Sequence, residues 1–347
     1  MSVNDLQCHF PACFVELPPQ CEGRRAAFYL ATEEYIAEHL PEDSYFFTWQ
    51  LGPTVVMGRN QVAHQEVDLD FCRREDIDVI RRRSGGGAIF ADERNIMTSL
   101  ITEDGPVEAL FQEYAEEVAK ALRQLGAPAV VSGRNDIVLS TLHPSPFILH
   151  PKKVCGNAFY HKVGRNIAHG TMLYDTNPRL MEGALHPDVS KLKQKGVKSV
   201  RSRVGLLKDY LPFGVDELRR QLRLLLTNRT ICLTNEDVGQ IEALEQHYYG
   251  PEYLYGSSAH GDVVRSARIP DCGLLELHFR LQGSLIKEVE LRGDFFDLGH
   301  ATQTFNNALT GVPFTPENIE QAVRTHHPER SIRGLSEEAL TNLILTI

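Results

Sequence analysis

Apolar and polar positions recur along this chain with two different periods, and each change of period marks an element. Ala26, Leu30, Ala37 and Leu40 lie on one stripe at helical spacing, which predicts a helix over 24–40. Two β-rich runs follow, Tyr45–Trp49 and Thr54–Met57, separated by a Gly52-Pro53 turn. Val79–Ile80 opens another strand, and Ala88–Phe90 with Asn95–Ile101 reads as a β-hairpin closed by Asp92-Glu93-Arg94. The clearest helical period runs through Val107, Leu110, Phe111, Tyr114, Val118, Leu122 and Leu125, with Gly126 as its stop. Ala129–Val131, Asp136–Leu139, Lys153–Tyr160 and Arg165–Tyr174 are further strand candidates.

The C-terminal hundred residues change texture. Leu275, Leu277, Phe279 and Leu281 alternate with Glu276, His278 and Arg280, the pattern of a half-buried strand. Gly283 turns the chain, Leu285, Val289 and Leu291 return it, and helical segments follow near 300–309, 316–325 and 336–346. Strands and helices do not alternate regularly in the first part. An α+β fold is therefore expected rather than a doubly wound parallel sheet. Tyr-Tyr-Gly-Pro at 248–251 is a breaker, which divides the chain into a larger domain over 1–250 and a small α+β domain over 258–347.

Composition narrows the setting. The 347 residues are 42% hydrophobic and 24% charged, as in an ordinary globular protein. A net charge of −10 argues against a general nucleic-acid partner. No segment approaches 18 uncharged apolar residues, so no membrane span is expected. Seven cysteines, at 8, 13, 21, 72, 155, 232 and 272, contain no CxxC pair, which suits a reducing cytoplasm better than a disulfide scaffold or a zinc site. The N-terminus lacks the cationic and apolar regions of a secretion signal.

The densest chemistry is Arg81-Arg82-Arg83-Ser84-Gly85-Gly86-Gly87-Ala88. Three glycines let a backbone pass close to a bound group, and arginine forks supply permanent positive charge. The run is neither a P-loop nor a dinucleotide fingerprint, because no Gly-Lys-Ser/Thr follows and strand comes next. It reads as either a hairpin loop or a loop lying against an anion. Along a strand, Arg81 and Arg83 would face one side and Arg82 the other. Lys153 opens a strand that soon reaches Gly156. Neighbouring strands would gather Asn135 and Asp136, and His169, Gly170 and Thr171, around it. Cys155 reads as an acyl-transfer nucleophile or as a buried thiol. Six cationic residues between Lys191 and Arg203 form a basic loop in an acidic protein, either solvated or a flap that closes over phosphate.

Seven segments in register resemble the lipoate–protein ligase family in its long form with a C-terminal accessory domain. They are Leu30–Glu34, Trp49 with Thr54–Gln61, Arg81–Phe90, Gly133–Asp136, Lys153–Ala158, His169–Leu173 and Lys198–Val204. The resemblance implies a mixed β-sheet catalytic domain of the biotin/lipoate ligase type. It implies ATP-dependent, magnesium-assisted activation of lipoate to lipoyl-AMP. The acyl group would then pass to a lysine of a lipoyl carrier domain, in a 2-oxoacid dehydrogenase or the glycine cleavage carrier protein. By that resemblance Lys153 is catalytic and Asp136 positions Mg²⁺. Trp49 walls an apolar tunnel, its other reading being an ordinary core tryptophan. Arg82, Ser84, Gly85, Gly86, Gly87, Ala88, Asn135, Gly156, His169, Gly170, Thr171, Lys198, Ser199 and Arg201 bind substrate or adenylate. Two positions depart from the family: Ala91 stands where it commonly has histidine, and Lys-Val-Cys-Gly replaces Lys-x-Ser-Gly. Cys155 keeps open an ATP-independent octanoyl or lipoyl transferase on the same fold. A non-catalytic carrier-binding protein is the third reading, and biotin–protein ligase is disfavoured because its loop and lysine motifs are absent.

Overall fold

Apolar runs bounded by turn residues become strands, and the longer helical periods become helices that cover them. A computed structural model describes residues 12–133, 135–140, 151–186, 204–255 and 261–345. Tertiary contacts divide the chain into two compact units. One comprises Met1–Val56, Glu66–Ile80 and Ile89–Gly250; the other comprises Met57–Gln65, Arg81–Ala88 and Pro251–Ile347.

The first unit is built on strands β1 (Ala12–Glu16), β2 (Tyr45–Trp49), β3 (Thr54–Met57), β4 (Asp78–Arg81), β5 (Ile89–Ala91), β6 (Asn95–Glu103), β7 (Ala129–Ser132), β8 (Asp136–Leu139), β9 (Lys152–Lys162), β10 (Arg165–Leu173) and β11 (Thr227–Cys232). Eight of them form one sheet in the order β11-β1-β2-β6-β10-β9-β8-β7, and β4-β3-β5 form a second. β1 runs parallel to β11 and to β2, while the remaining ladders of the large sheet are antiparallel. The mixed sheet matches the α+β expectation.

Helices cover both faces. Every residue of α1 (Ala26–His39) from Ala26 to Ala37 is buried, against one face. On the other face lies α2 (Val107–Gln124), whose Tyr114 hydroxyl meets Thr98 Oγ1 at 2.7 Å and whose Phe111 ring packs 5.0 Å from Phe159. There α3 (Val215–Leu226) adds Leu218, Leu222 and Leu226, and its Arg219 donates to Thr48. α4 (Asn235–Glu245) begins with a Thr234–Asp237 capping box and meets α1 through the Tyr35–Asp237 hydrogen bond.

The expected Ala88–Phe90/Asn95–Ile101 hairpin does not form. β5 pairs with β3, whereas β6 pairs with β2 and β10. The short polar link carries the chain from one sheet to another. Asp92 makes that turn possible: it is buried, and its carboxylate accepts from Arg94 N at 3.1 Å, Arg94 Nη2 at 3.0 Å and Asn177 N at 2.9 Å. A sequence period reports a strand but not its partner.

In the second unit, β12 (Val263–Ile269), β13 (Gly273–Gln282) and β14 (Leu285–Gly293) form an antiparallel sheet. Leu275, Leu277 and Phe279 are fully buried, as their alternation requires. They share a core with Phe305 of α5 (Ala301–Leu309), Ile319 and Val323 of α6 (Pro316–His326) and Leu340 of α7 (Glu337–Leu345).

Candidate active site

Directly opposed residues in an antiparallel ladder present their side chains on the same face of a sheet. The register of the large sheet therefore aligns Asp136, Gly156, Thr171, Met97 and Trp49 in one row across β8, β9, β10, β6 and β2. A second row on that face, two residues along, is Ala158, His169, Ser99 and Phe47. Five predicted site residues thus fall on one face, four strands apart at the extremes.

Lys153 joins them through a register shift. Ile137 pairs with Cys155, but Val138 pairs with Lys153, so Val154 is an extra residue in β9. Such a bulge re-aims the side chains beyond it. It brings Lys153 Nζ to 2.7 Å from Asp136 Oδ1, with the two side chains 19% and 10% exposed. Gly156 makes the approach possible, since a Cβ there would stand 2.3 Å from Lys153 Nζ. The Lys153 carbonyl accepts from Gly205 N at 2.7 Å, which fixes the backbone beneath the ammonium. Asn135 holds the entry to β8: its Nδ2 donates to Asn157 O at 2.8 Å, and Asn157 Nδ2 donates back to Asn135 O at 3.1 Å.

Behind the row lies a buried polar network on the same face. Trp49 Nε1 donates to Ser99 Oγ at 2.9 Å, and Ser99 Oγ donates to Glu33 Oε1 at 2.6 Å. His169 Nδ1 lies 3.0 and 3.1 Å from the two Glu33 oxygens, and the Tyr160 hydroxyl reaches Glu33 Oε2 at 3.4 Å. Trp49 stacks on Tyr29 with ring centroids 4.9 Å apart. Glu33 and Ser99 have no exposed surface, so these partners are what make their burial tolerable. Sequence reasoning gave neither residue a role. The available signal was Glu33-Glu34, two carboxylates inside a helix segment buried from end to end. Glu34 is held by Lys162 and the Tyr248 hydroxyl.

Cys155 is elsewhere. It faces the opposite side of the sheet, beneath α2, with no exposed surface, and its Sγ donates to Asn157 Oδ1 at 3.3 Å. Burial pushes its thiol up to about 12, so it is protonated at neutral pH. Gly170 also faces that side. A Cβ there would meet Asn157 Oδ1 at 2.3 Å and Cys155 Sγ at 3.2 Å.

The arginine–glycine segment belongs to the second unit. β4 ends at Arg81, so strict alternation stops there, and Arg81 and Arg82 are both buried. Arg81 is spent on carbonyls: Gly58 O at 2.9 Å, Gln61 O at 2.7 Å and Leu254 O at 2.8 Å among them. Arg82 braces its own loop, donating to Ser84 Oγ at 2.8 Å, Gly85 O at 2.7 Å and Gly87 O at 2.9 Å. The space left by Gly85 holds the Phe295 carbonyl, 2.3 Å from where its Cβ would stand, and Gly86 N donates to that carbonyl at 3.1 Å. Gly86 has φ +87°, which favours glycine. Ala88 is half-buried. Lys198, Ser199 and Arg201, with the rest of the basic stretch up to residue 203, lie outside the described residues.

A mixed eight-stranded sheet between helical layers, with a lysine–aspartate pair on one face, is a fold of the biotin/lipoate ligase type. The chain belongs to the lipoyl protein ligase A/B catalytic domain family, whose model matches residues 25–225, and residues 258–344 match the bacterial lipoate protein ligase C-terminus. It is 33% identical over 303 residues to lipoate–protein ligase 1 of Staphylococcus aureus, covering 85% of this chain and 89% of that relative. Against the Bacillus subtilis lipoate-protein ligase LplJ it is 31% identical over 327 residues, covering 91% and 95%. The bipartite lipoate protein ligase of Thermoplasma acidophilum, studied with its E2 lipoyl domain, superposes with a TM-score of 0.60 at 25% identity, over 74% of this chain and 100% of that one. P. falciparum LipL1 with lipoate shares the fold at a TM-score of 0.71 and 16% identity, covering 90% and 94%. No helix among the described residues is long and apolar enough to cross a membrane.

Proposed function

We propose that this chain is an ATP-dependent lipoate–protein ligase that uses the Lys153 face of the large sheet. A lipoate carboxylate oxygen attacks the α-phosphorus of ATP, the bond to the β-phosphate breaks, and pyrophosphate leaves behind lipoyl-AMP. The ε-amine of a carrier lysine then attacks the acyl carbonyl. The bond between that carbon and the phosphate oxygen breaks, AMP leaves, and the amine nitrogen gives up a proton.

The Lys153–Asp136 pair above Gly156 carries this reading. An ammonium held at a fixed point, partly screened from water, stabilises negative charge as it develops in both steps. Asp136 sets its position. Trp49, stacked on Tyr29 at the far end of the row, supplies the apolar surface that suits the aliphatic chain of lipoate. Mg²⁺ is usually held by one or two carboxylates together with substrate phosphates and water. Asp136, a single, largely buried carboxylate beside Lys153, fits that manner of binding and would hold the ion, which would offset phosphate charge when bound. Asn135, His169 and Thr171, with the basic stretch of Lys198, Ser199 and Arg201, add adenylate and acyl contacts in this reading. The carrier is the lipoyl domain of a 2-oxoacid dehydrogenase or the glycine cleavage carrier protein. Buried free thiols at Cys13, Cys21, Cys72, Cys155 and Cys272 support a cytoplasmic setting.

Placement and protonation of Cys155 count against the transferase alternative, which needs a thiolate on the substrate face. Lipoate-dependent exchange of labelled pyrophosphate into ATP is the decisive assay. The ligase reading fails if neither lipoate nor octanoate supports exchange while ATP-free acyl transfer occurs and disappears in Cys155→Ala.

A further inference from the structure

Three metal-ligating side chains meet in the second unit. His327, Glu329 and Glu337 each bring one donor atom to within 4.8 Å of the others. The topology makes this meeting local. His327 follows the last residue of α6, Glu329 lies in the 3-10 turn Pro328–Ser331, and Glu337 opens α7. His327 has φ +50°, a left-handed conformation uncommon outside glycine, asparagine and a few polar residues.

The spacing suits a small ion. His327 Nδ1 lies 3.2 Å from Glu329 Oε1 and 3.9 Å from Glu337 Oε2. Ligands about 2.0–2.1 Å from a tetrahedral zinc ion stand about 3.4 Å from one another. A second observation comes from Glu329. The residue is only 5% exposed, and its Oε2 is buried without a hydrogen-bond partner among the described residues. Such an oxygen is expensive to desolvate unless something positive meets it. Arg330 does not do so, since its Nε lies 3.8 Å from the other oxygen, Oε1. Arg324 likewise addresses Oε1 of Glu337, at 3.5 Å. A protonated His327 pairing with both carboxylates would account for the two short distances but leaves Glu329 Oε2 unmet.

We infer that His327, Glu329 and Glu337 form a site for a zinc-type divalent ion that staples the end of α6 to the start of α7. An imidazole donor beside carboxylates favours zinc and its transition-metal neighbours over Mg²⁺ and Ca²⁺, which take oxygen ligands. An ion there would cross-link the turn between two helices of the second unit and stabilise it without touching the reaction.

The test uses the full-length protein freed of metal by a chelator and titrated with ZnCl₂ in a calorimeter, with MgCl₂ as the comparison. One saturable zinc site is expected, with a rise in Tm and, on Co²⁺ substitution, visible absorption of a low-symmetry site. His327→Asn keeps a residue that tolerates the left-handed conformation, and Glu337→Gln keeps size and polarity. Each should weaken zinc binding by at least the 10–100-fold that losing a supporting partner costs. Circular dichroism checks that both variants fold. No saturable zinc binding, or a site that survives intact in both variants, overturns the inference. If either variant misfolds, the Co²⁺ spectrum of the wild-type chain still decides between bound and unbound metal.

Discussion

Lys153 and Gly156 share one space: the ammonium of the lysine lies 2.3 Å from where a Cβ on the glycine would stand. The glycine is therefore required by a neighbour's side chain rather than by its own backbone angles. Gly156→Ala should push Nζ away from Asp136 and leave the fold intact. Displacing a reacting group by about 1 Å costs on the order of 10²-fold in rate. Lipoate-dependent pyrophosphate exchange is expected to fall by about that factor, with Tm nearly unchanged. A variant with normal exchange would remove this packing from the mechanism.

Lys153→Ala removes the charge itself. Deleting one preorganised donor typically costs about 10²–10³ in rate. Adenylation should drop by at least about 10²-fold, and Lys153→Arg should not restore it, because the larger planar fork does not fit above Gly156. Near-normal exchange in the alanine variant would take Lys153 out of the reaction.

Glu33 ties together Ser99, His169 and Tyr160 in the interior of the first unit. Glu33→Ala strands several buried polar groups, each worth about 1–3 kcal/mol when left unsatisfied. A loss of at least about 2 kcal/mol is expected in urea unfolding. Glu33→Gln, which keeps an acceptor, should lose less. Equal losses would mean that packing rather than hydrogen bonding sets the cost.

The Cys155 thiol gives an alkaline signature. Its pKa is raised in the folded chain to about 12, from an unfolded value of about 8.5. The folded state thus favours the protonated form. That contribution is fully present below about pH 8.5 and is lost as pH rises toward 12, by at most about 1.4 kcal/mol per pH unit. Cys155→Ser should flatten the fall in urea midpoint between pH 8 and 10. Iodoacetamide should spare the native thiol at pH 8 and label it only after unfolding.

Gly58 and Gly52 make a matched pair. A Cβ at Gly58 would stand 1.9 Å from the Gly86 carbonyl oxygen, whereas one at Gly52 meets nothing within 4 Å. Gly58→Ala should destabilise by about 1–3 kcal/mol or more, the range for overpacking against backbone. Gly52→Ala should be close to neutral in the same thermal melt.

Much of the fold was legible because burial imprints a period. Tyr45–Trp49, Thr54–Met57 and the alternating Leu275–Leu281 run stand as strands in the positions their patterns predict. Lys153, Asp136, Thr171 and His169 could be picked out as candidate chemistry, since polar residues recur at strand positions that should meet, whereas Trp49 was marked only by the family resemblance. Strand partnership was not legible. β5 and β6 are adjacent in sequence yet lie in different sheets, decided by Asp92 satisfying a turn that no period encodes.

The sequence by itself determined the elements, because propensity and hydrophobic spacing are local properties, and its motifs in register carried the family resemblance and the residue types available for chemistry. Only the tertiary structure decided which face each side chain occupies. One extra residue, Val154, returns Lys153 to the face of Asp136, while Cys155, two positions away, is sealed beneath α2. Facing depends on strand register, and register is set by partners far along the chain. Two neighbours in one motif therefore end with opposite fates, one an available charge and the other a buried, protonated thiol.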